Sequence, residues 1–382
     1  MRNSRYFWAG LVIIIALLNI FVLITGRAYY YKALVYNYVN IDDLDLFPVN
    51  TVKSGDPDPW NISEFYNKHD LPDTLTNTLE RYRSVAFLVI RQDSIIHETY
   101  WDGYRVSSHS NSFSMAKSFV STLIGIAIDK GYINSVNDRV CEILPRFCDA
   151  GKEKITIEHL LTMSSGLDWD EGYTSLFGPV TRSYYDKDLP GQMYQIGVQT
   201  EPGVEWNYMG CNTQLLGMII KETTGMSVSD FAGKYLWQPI GAEHDAFWSL
   251  DEADGIEKSY CCLYSNARDF ARLGKLYQNG GVWNDVRVIS EAYINDAISP
   301  AALDYHRRPF VRYGYQWWIT ESNGYEVYYA RGILGQYVFI VPSLDMIIVR
   351  LGHERAEPDP DQELSDVRLY LDQSIKFFNK PL

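Results

Sequence analysis

The sequence predicts an α+β fold: one antiparallel sheet built from both ends of the globular region and flanked by helices, with a helical subdomain at about residues 132–260. Three observations point there. Residues 85–90 and 95–101 are β-rich runs separated by Arg91-Gln92-Asp93-Ser94, the pattern of a hairpin. Residues 313–351 return to aromatic and β-branched runs with turns between them. Between these two blocks the patterning is helical. Strands at both ends must meet in one sheet, and the helices must cover it.

The elements follow in order. Residues 7–25 form an apolar run without a charge, preceded by Arg2 and Arg5. Residues 27–80 are polar and aromatic, with turn signals at Pro48 and in Gly55-Asp56-Pro57-Asp58-Pro59; they read as a linker ending in a lead-in helix near 75–83. The hairpin follows. Residues 115–130 are helix-patterned and closed by Gly131. Residues 156–162 read as a short helix ending at Ser164-Ser165-Gly166. The stretch 168–202, rich in Tyr, Asp, Gly and Pro, reads as loops and short helices. Helices are expected at 213–222 and 228–235. Another is expected at 267–278, N-capped by Ser265 or Asn266 and ended by Asn279-Gly280-Gly281. Strands are expected at 313–320, 325–331, 337–341 and 346–351, with a turn at Pro342-Ser343-Leu344-Asp345 and a terminal helix over 361–378. No internal repeat or low-complexity tract occurs.

The chain has 382 residues and a net charge of −14, which argues against a nucleic-acid partner, because phosphate binding needs a basic surface. The run at 7–26 is about long enough to span a bilayer. It is longer than the apolar core of a signal peptide, and no clean small-x-small cleavage site follows, so an uncleaved signal anchor is the favoured reading over a cleaved signal peptide. The basic residues before it place a cytoplasmic stub at 1–6 and the bulk of the chain, with a catalytic domain at 81–382, outside the inner membrane. Cleavage would make the protein secreted. Of five cysteines, Cys141 and Cys148 flank a short Pro-containing segment and are candidates for a disulfide. Cys211, Cys261 and Cys262 read as buried free thiols. No zinc-ligand spacing, C-x-x-C or glycine-rich phosphate loop is present, so no cofactor or metal is expected. The oligomeric state is left open.

The chemistry is carried by Ser114-Met115-Ala116-Lys117. Positions i and i+3 share a helix face, so the Lys117 amine can reach the Ser114 hydroxyl. Serine becomes a nucleophile when a neighbouring group takes its proton, and this arrangement supplies one without a histidine. The helix N-terminus offers N–H groups to a developing oxyanion. Because no Gly-x-Ser-x-Gly elbow exists, an α/β-hydrolase is disfavoured.

Further stretches fall into one order: Ile157-Glu158-His159-Leu160-Leu161-Thr162-Met163-Ser164-Ser165-Gly166, Pro202-Gly203 with Tyr208, Leu215-Leu216-Gly217, Ala267-Arg268-Asp269-Phe270-Ala271-Arg272-Leu273-Gly274, and Gly332-Ile333-Leu334-Gly335-Gln336. From about residue 80 to 380 the chain resembles the serine β-lactamase and penicillin-binding-protein superfamily, in its class C-like branch of esterases and 6-aminohexanoate-dimer hydrolases. The resemblance implies that Ser114 is acylated, that Lys117 helps move its proton, and that Tyr208 is the second proton-transfer group. It matches Asn212 to an asparagine of the amide-hydrolase branch. It makes the Ile333 N–H an oxyanion donor beside that of Ser114, with Gly332 allowing close approach of substrate. It puts Asp168, Trp169, Asp170 and Glu171 in a wall of the cleft, against the alternative of a solvated acidic loop. His159 and His353 are read as structural and as a rim residue.

The pattern also departs from the β-lactamases. No Lys-Thr-Gly occurs, and Ala330-Arg331-Gly332 stands in its place; Arg331 either replaces the missing lysine or points away. Gly210 stands where β-lactamases carry an asparagine. The expected function is a serine hydrolase acting on a small or peptide-like ester or amide, with little β-lactamase activity. The alternatives are a β-lactamase or D-amino-acid peptidase, and an anchored acyl-serine sensor or peptidoglycan-binding module without turnover.

Overall fold

The computed structural model describes residues 2–36, 38–149 and 151–379. Met1, in the expected stub, and residues 380–382, at the end of the expected catalytic domain, lie outside the described residues.

The chain opens with helix α1 (Arg2–Ile24), of which Tyr6–Ile24 has a mean hydropathy of 2.8 and is long and apolar enough to cross a membrane. Next come α2 (Tyr29–Tyr36), β1 (Val49–Val52), β2 (Asn61–Ile62), α3 (Asp73–Arg81), the hairpin of β3 (Ser84–Arg91) and β4 (Ser94–Tyr100), and β5 (Ser110–Asn111). Helix α4 (Ala116–Asp129) leads into α5 (Val140–Ile143), α6 (Ile157–Leu161), α7 (Pro179–Tyr185), α8 (Leu189–Tyr194), α9 (Gly210–Thr224) and α10 (Val228–Ala232). Then follow β6 (Ala246–Ser249), β7 (Leu263–Ser265), α11 (Ala267–Gln278), β8 (Val282–Trp283), β9 (Val286–Arg287), α12 (Glu291–Ala297), β10 (Leu303–Tyr305) and β11 (Arg308–Phe310). Last are β12 (Trp318–Ser322), β13 (Tyr325–Gly332), β14 (Gln336–Val341), β15 (Met346–Gly352) and α13 (Ser365–Phe378).

The main sheet has seven strands in the order β12-β13-β14-β15-β3-β4-β2, antiparallel except where β2 joins β4. Strand β15 pairs with β3, so the two ends of the globular region do close one sheet. Both faces are covered, which is why β3 is apolar at nearly every position rather than alternating. Phe87 and Val89 pack with Leu75, Leu79, Tyr370 and Leu371 of α3 and α13. Leu88 and Ile90 face the opposite layer, with Phe119 of α4 and Phe270 and Leu273 of α11. Helix α4 is buried almost all round, as its uniformly apolar sequence requires. Asn266 is the N-cap of α11, its side chain accepting from the Asp269 N–H.

The structure departs from the sequence reading in four places. The region after α5 is not purely helical, because β6 lies in a second, four-stranded sheet ordered β1-β6-β7-β5. Residues 27–80 are not a linker. Strand β1 pairs with β6, Trp60 is buried with its indole N–H on the Arg268 carbonyl, and α2 packs against the body of the protein. The strand expected from 313 starts only at Trp318, after Gln316 takes a left-handed φ of 64°. Finally, the disulfide joins Cys261 to Cys262, while Cys141, Cys148 and Cys211 are free. A φ of 66° at Cys262 bends the chain where the adjacent thiols meet. Alkylation of the denatured, unreduced protein is therefore expected to modify three cysteines, rising to all five after reduction, as read by mass spectrometry.

Burial lowers the His97 pKa from 6.5 to about 4, against a smaller upward pull from Glu98. The unfolded chain then binds the extra proton between these values, so this site's contribution to stability falls as pH drops from 6.5 toward 4. The loss saturates at about 3 kcal/mol. His97→Gln is expected to flatten that part of the stability–pH curve, measured by denaturant unfolding at pH 7, 5.5 and 4.

Candidate active site

Ser114 lies in a short 3-10 turn, Phe113–Met115, that runs into α4. The residue before it, Phe113, has φ 43°, a left-handed conformation that costs a bulky side chain of order 1–3 kcal/mol. The surroundings hold it there. Its ring is buried, and its N–H donates to the Asn111 side chain at 2.9 Å. The turn leaves Ser114 half-buried in the wall of a cleft.

Lys117 sits one turn into the helix, 2% exposed. Its ammonium nitrogen lies 3.0 Å from the Ser114 Oγ and donates to the Tyr260 carbonyl at 2.8 Å. The same Nζ is 5.2 Å from the centroid of the Tyr208 ring. Tyr208 is held by aromatic contacts with Trp206, Tyr313 and Trp318, at centroid distances of 6.2, 6.2 and 5.8 Å. The expected trio is thus brought together around one amine.

Strand β13 ends against the serine turn. A Cβ at Gly332 would meet the Ser112 carbonyl oxygen at 2.3 Å, so only glycine lets the strand come this close. Ile333 follows and lines the cleft with Ser114. Arg331 also lines it, with its guanidinium 3.8 Å from the Trp318 ring centroid and donating to the Gln362 carbonyl at 2.8 Å.

Two residues named from the sequence lie away from the cleft. Asn212 is fully buried in the first turn of α9, where its amide receives the Ser165 hydroxyl at 2.6 Å and donates to the Met163 sulfur. Asp168 is exposed, its backbone tied to Gly197, and it forms no part of the cleft wall. Of the four residues expected in that wall, Trp169 and Glu171 line the cleft, and Glu171 is its carboxylate. It accepts from the Gly210 N–H at 2.6 Å, the Trp169 indole at 2.7 Å and the Tyr173 hydroxyl at 2.9 Å. It therefore pins the N-terminus of α9 just after Tyr208, where the helix dipole favours a negative charge. Nothing in an Asp-Trp-Asp-Glu run separates the inward carboxylate from the solvated ones. His159 is structural, its Nδ1 accepting from the Thr156 N–H in a capping box, and His353 lies on the cleft rim.

The cleft has two arms that share Ser114, Glu171, Tyr173, Ile333 and Arg355. The larger, about 770 Å³, is walled by Val39, Trp169, Leu176, Tyr184, Tyr185 and Tyr260. The smaller, about 220 Å³, holds Tyr208, Trp206, Arg331 and Gln362. Among the described residues no cluster of side chains could hold a metal ion.

The family model described as Beta-lactamase matches residues 72–372. The chain is 28% identical over 309 residues to a 6-aminohexanoate-dimer hydrolase from Paenarthrobacter ureafaciens, covering 76% of this chain and 77% of that one. A Bacillus anthracis protein assigned as a 6-aminohexanoate-dimer hydrolase shares the fold with a TM-score of 0.77 at 20% identity, over 90% of this chain and 94% of that one. A family VIII carboxylesterase shares it with a TM-score of 0.61 at 17% identity, over 79% and 97%.

Proposed function

The chain belongs to the beta-lactamase family, and from that premise we propose that it is a membrane-anchored serine hydrolase that cleaves an ester or amide through an acyl-enzyme on Ser114. The observation that carries this reading is the 3.0 Å contact of Lys117 Nζ with Ser114 Oγ at the meeting point of the two arms. Lys117 takes the hydroxyl proton as Oγ bonds to the substrate carbonyl carbon. The Ser114 and Ile333 N–H groups receive the oxyanion. The bond to the leaving group then breaks, and the proton passes from Lys117 by way of Tyr208 to the departing oxygen or nitrogen. Water attacks the acyl ester by the reverse path and frees Ser114.

Anchoring rests on α1. Its last turns are not detached from the rest: Val22 packs against the aromatic cluster of α2 and α7, and Asn19 accepts from the Tyr31 hydroxyl at 2.5 Å. These contacts favour a retained helix over a cleaved one, with the catalytic domain on the outer side of the cytoplasmic membrane. The test of the reaction is covalent: a fluorophosphonate should add one mass increment on the peptide carrying Ser114. Labelling of any other residue would displace the assignment.

A β-lactam is a poor fit. The place of the usual lysine is taken by Arg331, whose guanidinium is already engaged by Trp318 and the Gln362 carbonyl. The kcat/KM for nitrocefin is expected to lie at least about 100-fold below that for p-nitrophenyl butyrate, the discrimination available when a polar partner is missing. Equal rates on the two substrates would refute this.

A further inference from the structure

We propose that the mouth of the larger arm is seated in the outer-leaflet interface, so that this arm receives the hydrocarbon part of an amphiphilic ester or amide dissolved in the bilayer. The proposal rests on the hydrolase reading above and names its substrate class.

Helix α2 carries the argument. Its sequence, Tyr-Tyr-Tyr-Lys-Ala-Leu-Val-Tyr, is apolar on every side except at Lys32. One face is satisfied, because Tyr29, Tyr30 and Ala33 are buried against the protein. The other is not: Leu34 is 64% exposed and Val35 75%. A helix apolar all round needs a second apolar surface. Tyr38, just beyond α2, is 83% exposed, and Phe177, one residue past the cleft-lining Leu176, 75%. The Tyr30 and Phe177 rings meet edge-on at 5.4 Å, which joins the two segments into one rim. Away from α1 and this rim, most exposed apolar side chains stand alone on separate segments, such as Ile62, Tyr132, Val286 and Leu369. A contiguous apolar patch needs an occupant.

Continuity identifies it. Only four residues separate the end of α1 from α2, and Gly26, at φ 69°, turns the chain. The Tyr31 hydroxyl reaches back to Asn19, five residues inside the end of α1, so α2 lies beside the last turns of the apolar helix. If α1 crosses the membrane, α2 is at headgroup depth, where Tyr and Phe side chains are favoured. The same segment walls the cleft: Ala33 of α2, with Tyr38 and Val39 after it, lines the arm that reaches Ser114. An acyl chain leaving the bilayer there passes between tyrosines without crossing water. The bond cleaved is the one described above, with water as the second reactant.

The full chain, reconstituted in vesicles of phosphatidylethanolamine and phosphatidylglycerol, tests this in two ways. A phospholipid with a diazirine in its tail is expected to cross-link residues 31–38 and 173–177 as well as α1; cross-links confined to α1 would overturn the proposal. In the second arm, Leu34→Ser/Val35→Ser/Phe177→Ser is compared with the unaltered chain. It is expected to cleave vesicle-borne p-nitrophenyl palmitate at least about 10-fold more slowly and water-soluble p-nitrophenyl butyrate within about 2-fold of the original rate. Unchanged rates on both esters would overturn the membrane supply of substrate. A chain that cleaves neither ester yet cross-links along the rim would refute the hydrolase reading and uphold the seated rim.

Discussion

Ser114→Ala is expected to lower kcat/KM for p-nitrophenyl butyrate by about ten-thousand-fold or more, with unfolding unchanged. The size follows from what is lost. Without the Oγ no acyl-enzyme forms, and the oxyanion donors and the cleft retain only the part of catalysis that positioning supplies. Lys117→Met should cost nearly as much, because the hydroxyl is a weak nucleophile once the buried amine 3.0 Å away is gone. The double variant should be little worse than either single one, since the two groups act as a unit. Tyr208→Phe removes a proton-transfer group and keeps the ring packed on Trp318, so a loss of about 100-fold is expected. Full activity in Ser114→Ala would place the nucleophile elsewhere. Stepwise losses that multiply across the three positions would dissolve the shared proton path.

What the sequence revealed and what it hid have physical causes. The sheet was legible because β3 and β15 are apolar runs rich in Val and Ile whose stable arrangement is a covered sheet. The approach of Lys117 to Ser114 was legible because helical spacing fixes it locally, while their role rested on the resemblance. Tyr208 needed the resemblance, since nothing local distinguishes it among 29 tyrosines. The second sheet was hidden because β1, β5, β6 and β7 have two to four residues each, too short for a period to show, and their partners are remote in sequence. The role of residues 27–80 was hidden for a related reason: a segment rich in Pro, Asp and Tyr looks like a linker until β1 finds β6. The inward turn of Glu171 and the outward turn of Asp168 depend on a loop path that side-chain chemistry alone does not set.

Arg272→Met is expected to destabilise the fold by about 3–5 kcal/mol, the largest stability loss predicted for this chain. In the Ala267-Arg268-Asp269-Phe270-Ala271-Arg272 run, Arg272 is fully buried, yet every part of its guanidinium is used. It contacts Asp269 at 3.0 Å, the Ile240 carbonyl at 3.0 Å, the Asp58 carbonyl at 2.8 Å and Glu243 at 3.1 Å. Asp269 in turn accepts from the Glu243 and His244 N–H groups. One side chain thus ties α11 to the segments around residues 58 and 240, which carry the second sheet and the wall behind α4. Met fills the volume but takes a donor from the Ile240 and Asp58 carbonyls and a buried cation from Asp269 and Glu243, and removing one partner of a buried ion pair costs more than the pair contributes. The contrast is Lys53→Met. Its ion pair with Asp245, at 2.8 Å, has side chains 66% and 32% exposed, and its loss should cost less than about 1 kcal/mol. Denaturant unfolding of the two variants against the unaltered chain separates them. An Arg272→Met protein as stable as Lys53→Met would mean that the buried network is spent on its own desolvation and does not hold these segments together.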